Sequence, residues 1–132
     1  MADCVFCKII SGEYSSYKLY EDDYTLAFMD IAKDVDGHIL VVPKKHVKNI
    51  LDCDEETLSH VMASVKKISK HLVESCGFEG VNILSSNNEC AEQEVPHLHI
   101  HIIPRKSNDG LKIWPSLPGA KLSIEEMFAK LK

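Results

Sequence analysis

The chain has 132 residues and a formal net charge of −5 at pH 7, with 45% hydrophobic and 27% charged residues. That is the size and balance of one globular domain able to bury a core without disulfides. The acidic balance argues against a nucleic-acid binder, and no apolar run approaches the roughly 18 residues of a membrane span.

In chain order, residues 5–10 (VFCKII) read as a short apolar helix or turn stopped by Ser11-Gly12. Residues 18–21 and 25–30 read as two strands around Asp22-Asp23. Residues 37–43 (GHILVVP) are a near-continuous apolar run between Gly and Pro, the pattern of a buried strand. Between Asp54 and Cys76, Leu58, Val61, Met62, Val65, Ile68, Leu72 and Val73 recur at helical spacing. Asp54 is placed to cap that helix and Gly77 to end it. Strands over 81–85 and 97–103 follow, joined by a polar loop, 86–95. Ser123-Ile-Glu-Glu126 forms a capping box that predicts a last short helix. Strands around one long helix suggest an α+β domain, with helices on one face of an antiparallel sheet.

The segment Pro96-His-Leu-His-Ile-His-Ile-Ile-Pro104 sets His97, His99 and His101 at every second position. On a strand all three rings share one face. Burial preference does not explain three imidazoles on an apolar strand, and a solvated stripe would mix Lys, Glu, Thr and Ser. Two chemistries remain open. Three histidines could hold a catalytic Zn²⁺, although a straight strand spreads them over roughly 13 Å. Alternatively, one imidazole attacks phosphorus while its neighbours contact phosphate oxygens.

The pattern His-x-His-x-His-x-x, with apolar x, resembles that of the histidine-triad (HIT) nucleotide hydrolases and transferases. CVFCKII from Cys4, LYEDD from Leu19, AFMDI from Ala27 and GHILVVPKKH from Gly37 resemble this family's other blocks, in order, so the likeness spans about residues 4–105. It is closest in kind to the Hint-like nucleotide-binding branch, since His101 stands where the nucleotidyl-transferase branch has Gln. The resemblance implies a HIT-like fold over residues 1–105, a tail with a short helix over 106–132 packed on the same domain or a partner, and a homodimer.

It also implies hydrolysis of purine nucleoside 5′-phosphoramidates at the α-phosphate. His99 would be the nucleophile, His101 and His38 would lie beside the phosphate, and the His97 carbonyl would hold the His99 ring. Val5, Phe6, Ile9, Phe28, Met29, Asp30 and Ile31 would form the pocket for an AMP- or GMP-type nucleotide, with Asp30 on the ribose. Asn87, Gln93 and Glu94 would complete it near the phosphate. The sequence departs from the family pattern Gly-Gln-Ser-Val-x-His, with Glu92-Gln-Glu-Val95 in its place. A carboxylate at Glu94 beside a phosphate is unfavourable unless it turns away or protonates the leaving group.

Cys4-x-x-Cys7 supplies half a tetrahedral zinc site, and His46 and His97 are the candidates to complete a Cys₂His₂ set. Some bacterial members resemble this chain at all four positions and bind zinc there; no organic cofactor is expected. His60 and His71 lie on the long helix and read as solvated or packed. Trp114 resembles the tryptophan of the branch's C-terminal tail, which reaches toward the partner's active site. Five cysteines without a paired framework, and no basic stretch leading into a long apolar one, predict a cytoplasmic protein with reduced thiols. Two alternatives are dinucleoside polyphosphate hydrolysis and a nucleotide-binding regulator with little turnover.

Overall fold

The computed structural model describes residues 3–132. Five antiparallel strands, β1 (Lys18–Glu21), β2 (Thr25–Met29), β3 (Ile39–Pro43), β4 (Gly80–Leu84) and β5 (Ile100–Arg105), form one sheet in the order β1-β2-β3-β5-β4. Helix α1 (Val5–Ile10) precedes β1, α2 (Glu55–Ser75) connects β3 to β4, and α3 (Ile124–Leu131) ends the chain. The α+β architecture agrees with the sequence reading. No described helix is long and apolar enough to cross a membrane.

Strand alternation sorts the core into two faces. Ala27, Ile39, Val41, Ile100 and Ile102 pack under Val61, Val65, Ile68 and Leu72 of α2. Leu26, Phe28, Leu40 and Val42 point the other way, where Cys4 and Phe6 at α1 cover them. The Asp54 carboxylate caps α2 by accepting from the Thr57 N–H, and Glu55 and Glu56 occupy its first turn, where the helix dipole favours anions. A buried hydroxyl pair, Thr25 Oγ1 and Ser64 Oγ at 2.7 Å, fastens α2 to β2.

One boundary differs in a way that matters. The strand expected over 97–103 begins only at Ile100. Regular pairing with β3 ends at Val41 opposite Ile100, although β3 itself runs on to Pro43. The His97 N–H turns back to the Val95 carbonyl (2.9 Å), and the Leu98 N–H donates to the Val47 carbonyl (2.8 Å).

Gly37 sits at φ +80°, and a Cβ there would lie 2.9 Å from Pro104 Cγ. Positive φ and a rigid ring together leave only glycine comfortable immediately before His38. Gly37→Ala is expected to cost about 2 kcal/mol, read as a lower urea midpoint with unchanged slope.

Helix α3 has the anticipated capping box at Ser123 and Glu126, yet buries no residue. Trp114 is 77% exposed.

Candidate active site and metal centre

The three triad histidines have three different environments. His97 is fully buried, and its Nε2–H donates to the Pro43 carbonyl at 2.9 Å. That bond fixes Nδ1 as the bare nitrogen. Nδ1 faces Cys4 Sγ at 3.3 Å, Cys7 Sγ at 3.6 Å and His46 Nδ1 at 3.1 Å, while Cys7 Sγ lies 3.3 Å from His46 Nδ1. All four donor atoms lie within 4.8 Å of one another.

A tetrahedral zinc with bonds of 2.0–2.3 Å separates its ligands by about 3.3–3.8 Å, so the cluster already has nearly the required dimensions. Burial, then the neighbouring Cys4, push the Cys7 thiol up to about 11. Two thiolates side by side thus require a cation, which a divalent metal supplies. Donor set, tautomer and spacing all fit a closed zinc site. The Pro43 carbonyl is its outer-shell orienting group.

His99 comes next. Its Nδ1–H donates to the His97 carbonyl at 2.7 Å. A carbonyl can only accept, so the tautomer is settled and Nε2 carries a lone pair. The edge of Phe6 approaches the ring, with centroids 5.1 Å apart, and His101 stands beside it at 5.0 Å.

His101, on β5, pairs across the sheet with Leu40 of β3. Its Nδ1 lies 2.8 Å from Nε2 of His38. Burial, with the charges of His99 and His38, lowers its pKa to about 4, so the ring is neutral near pH 7. His38 turns its Nδ1 toward two carboxylates, Asp34 at 3.0 Å and Asp30 at 3.6 Å. His38, His99 and His101 thus converge at one end of the sheet's α1 face.

Phe6 and Phe28 meet edge to face there, with centroids 5.7 Å apart, and Ile9 packs on the same cluster. Val5 is 38% and Ile31 85% exposed, open to a ligand. Met29 follows Phe28 on a strand, so alternation sends its side chain to the opposite face, against the α2 core.

Gln93 is buried with its amide fully engaged. Nε2 donates to the carbonyls of Lys48 (2.7 Å) and Val95 (3.0 Å), and Oε1 accepts from Asn49 Nδ2 (3.1 Å) and the Asn88 N–H (2.9 Å). It ties together the loop before the triad. Asn87 Oδ1 likewise accepts from the Ile50 N–H at 2.9 Å. Glu94 is exposed and lines a cleft with Cys4 and His46 of the metal cluster and with Val5. Asn49 and Asp34 were not anticipated. Their signal was faint: a polar residue after the Lys-Lys-His stretch, and an acid four residues before a histidine.

A model of the HIT domain matches residues 11–108. The chain is 46% identical to an uncharacterized HIT-like protein of Borreliella burgdorferi, over 99% of this chain and 94% of that one. It is 38% identical to the adenosine 5′-monophosphoramidase hnt1 of Schizosaccharomyces pombe, over 98% of each. A Zn-bound histidine triad family protein from Mycobacterium smegmatis superposes with a TM-score of 0.80 at 34% identity, over 85% of this chain and 81% of that one. Motif, fold and relatives agree, and the chain belongs to the HIT domain family.

Proposed function

We propose that this HIT-family enzyme hydrolyses purine nucleoside 5′-phosphoramidates through a covalent nucleotidyl intermediate on His99. The observation that carries the reading is the 2.7 Å bond from His99 Nδ1–H to the His97 carbonyl. It holds the ring proton on Nδ1, so in the neutral ring Nε2 carries the lone pair that serves as nucleophile. Nε2 attacks the α-phosphorus, the P–N bond breaks and the amine leaves. Water then attacks the nucleotidyl-histidine and releases the nucleoside monophosphate.

His101, neutral and adjacent, is placed to hydrogen-bond a phosphate oxygen, with His38 behind it. Phe6, Ile9 and Phe28, with the exposed Val5 and Ile31, offer apolar surface for a purine, and Asp30 accepts from the ribose hydroxyls. Zinc on Cys4, Cys7, His46 and His97 is structural, because four protein ligands leave no position for substrate. Bound there, it ties α1, and so Phe6, to the triad backbone.

The relatives' activities favour this substrate class; dinucleoside polyphosphates are the competitor. Hydrolysis of adenosine 5′-phosphoramidate with kcat/KM at least about tenfold above that for a diadenosine polyphosphate supports the reading. The reverse order overturns it, and binding of AMP with neither substrate cleaved favours a nucleotide-binding regulator.

A homodimer is proposed on two features: β4 is an edge strand, and Ile83 on it, with Met62 and Val73 on α2, leaves apolar surface exposed. The tail with Trp114 and α3 then reaches the partner. Free thiols throughout fit a cytoplasmic setting.

Glu94 is exposed and has no hydrogen bond to the triad rings, so we assign it no part in protonating the leaving group. Glu94→Ser is expected to leave kcat within about threefold, measured by steady-state amine release; a loss beyond about a hundredfold would restore Glu94 to the chemistry.

A further inference from the structure

The leaving amine needs a proton, and the attacking water must lose one. Nothing in His99 itself supplies either. The groups that face this problem form a continuous chain: Asp34 Oδ1 to His38 Nδ1 at 3.0 Å, then His38 Nε2 to His101 Nδ1 at 2.8 Å. His38 is buried, whereas Asp34 is half-exposed at the mouth of a 490 Å³ cavity shared with Val35, Phe78, Pro104 and Lys106.

The groups around His38 are Asp30 and Asp34 on its Nδ1 side and His101 on its Nε2 side, with His99 beyond. Asp30, His38 and His101 are close enough to suggest a cation site. His38, however, uses one ring nitrogen on the carboxylates and the other on His101. A proton chain is what this geometry makes.

We propose that Asp34 is a positioning residue that locks His38 with Nδ1–H outward, so that His38 and His101 together store the proton used in both halves of the reaction. This rests on the phosphoramidase reading above. A carboxylate beside Nδ1 accepts only from N–H, which leaves His38 Nε2 as the atom that exchanges with His101.

In the charged state of the pair, His38 carries hydrogen on both nitrogens and His101 carries it on Nε2. When the P–N bond breaks, the leaving nitrogen takes the Nε2 proton of His101, and His101 Nδ1 takes the Nε2 proton of His38. When water attacks, its proton goes to His101 Nε2. The Nδ1 proton of His101 returns to His38 as the bond from phosphorus to His99 breaks. Every proton is accounted for, and the pair ends as it began.

Two further observations agree. The Asp34 carboxyl is held below its usual range, first by its bond from His38. Burial, with the charges of His99 and His38, keeps the His101 ring neutral between turnovers. Asp34 thereby extends the site to a surface loop that the triad motif does not include.

The test compares two leaving groups in single turnovers. One is an alkylamine, which must be protonated to leave; the other is nitrophenolate, which leaves unaided. Asp34→Ala is expected to slow amine release about tenfold and nitrophenolate release less than about twofold, with KM for both little changed. Asp34→Asn, which keeps an accepting oxygen for Nδ1–H, is expected to recover part of the amine rate.

Equal slowing of both leaving groups would mean that Asp34 only braces the loop, and would overturn the relay while leaving the phosphoramidase reading intact. Unchanged amine release would overturn it too. A wild-type protein inert toward both substrates would remove the underlying reading and the relay with it.

Discussion

His99→Ala is expected to reduce hydrolysis of adenosine 5′-phosphoramidate by at least about 10⁴-fold, because it removes the atom proposed to form the covalent bond. The substitution leaves the rest of the site in place. Asp30 directly follows β2 and His38 directly precedes β3, and Phe6 and Phe28 hold each other edge to face. AMP affinity should therefore fall by less than about fivefold, roughly one lost hydrogen bond. Steady-state kinetics with titration calorimetry of AMP separates the two quantities. A variant retaining a tenth of wild-type turnover would show that water attacks phosphorus directly.

The second large effect concerns metal. The protein purified without chelator is expected to carry about one zinc per chain, measured by elemental analysis. Zinc held at a thousandfold its Kd contributes about 4 kcal/mol, and its removal should lower Tm by about 12–16 °C. Cys4→Ser should abolish both the stoichiometric zinc and the response to chelator. The sign with pH follows from the ligands. Each must be deprotonated to bind, and the Cys7 thiol lies at about 11 without metal, so affinity falls as pH falls. A protein without zinc whose Tm ignores chelator would leave the cluster as a packed thiol–imidazole group.

The two predictions are linked through one residue. The ring of His97 faces the cysteines and its carbonyl holds His99. Metal removal should therefore disturb turnover as well as stability, since the carbonyl that fixes the nucleophile's tautomer belongs to a metal ligand.

Much of this was legible in the sequence, and the physical reason is periodicity. The helix expected between Asp54 and Cys76 is present as α2, because its apolar spacing and its caps agree. The buried run ahead of Pro43 is β3, central in the sheet. Alternation across 97–102 places Leu98, Ile100 and Ile102 against α2 even though regular pairing begins only at Ile100.

What was not legible depends on partners far along the chain. The family resemblance put Met29 and Gln93 near the nucleotide, but no sequence pattern shows that Met29 packs toward α2 or that Asn49, more than 40 positions from Gln93, meets its carbonyl. Nor does periodicity show that pairing with β3 ends at Ile100. Asp34 belongs to no period, and its role follows only once the loop folds it back onto His38.

The central claim is that two displacements occur at phosphorus, the first by His99. It is tested most directly by stereochemistry. A single diastereomer of a P-chiral thio-phosphoramidate of adenosine, hydrolysed in water enriched in heavy oxygen, gives a chiral thiophosphate. Two in-line displacements restore the original arrangement, so retention of configuration at phosphorus is predicted. Inversion would mean one direct attack by water and would contradict the covalent role of His99.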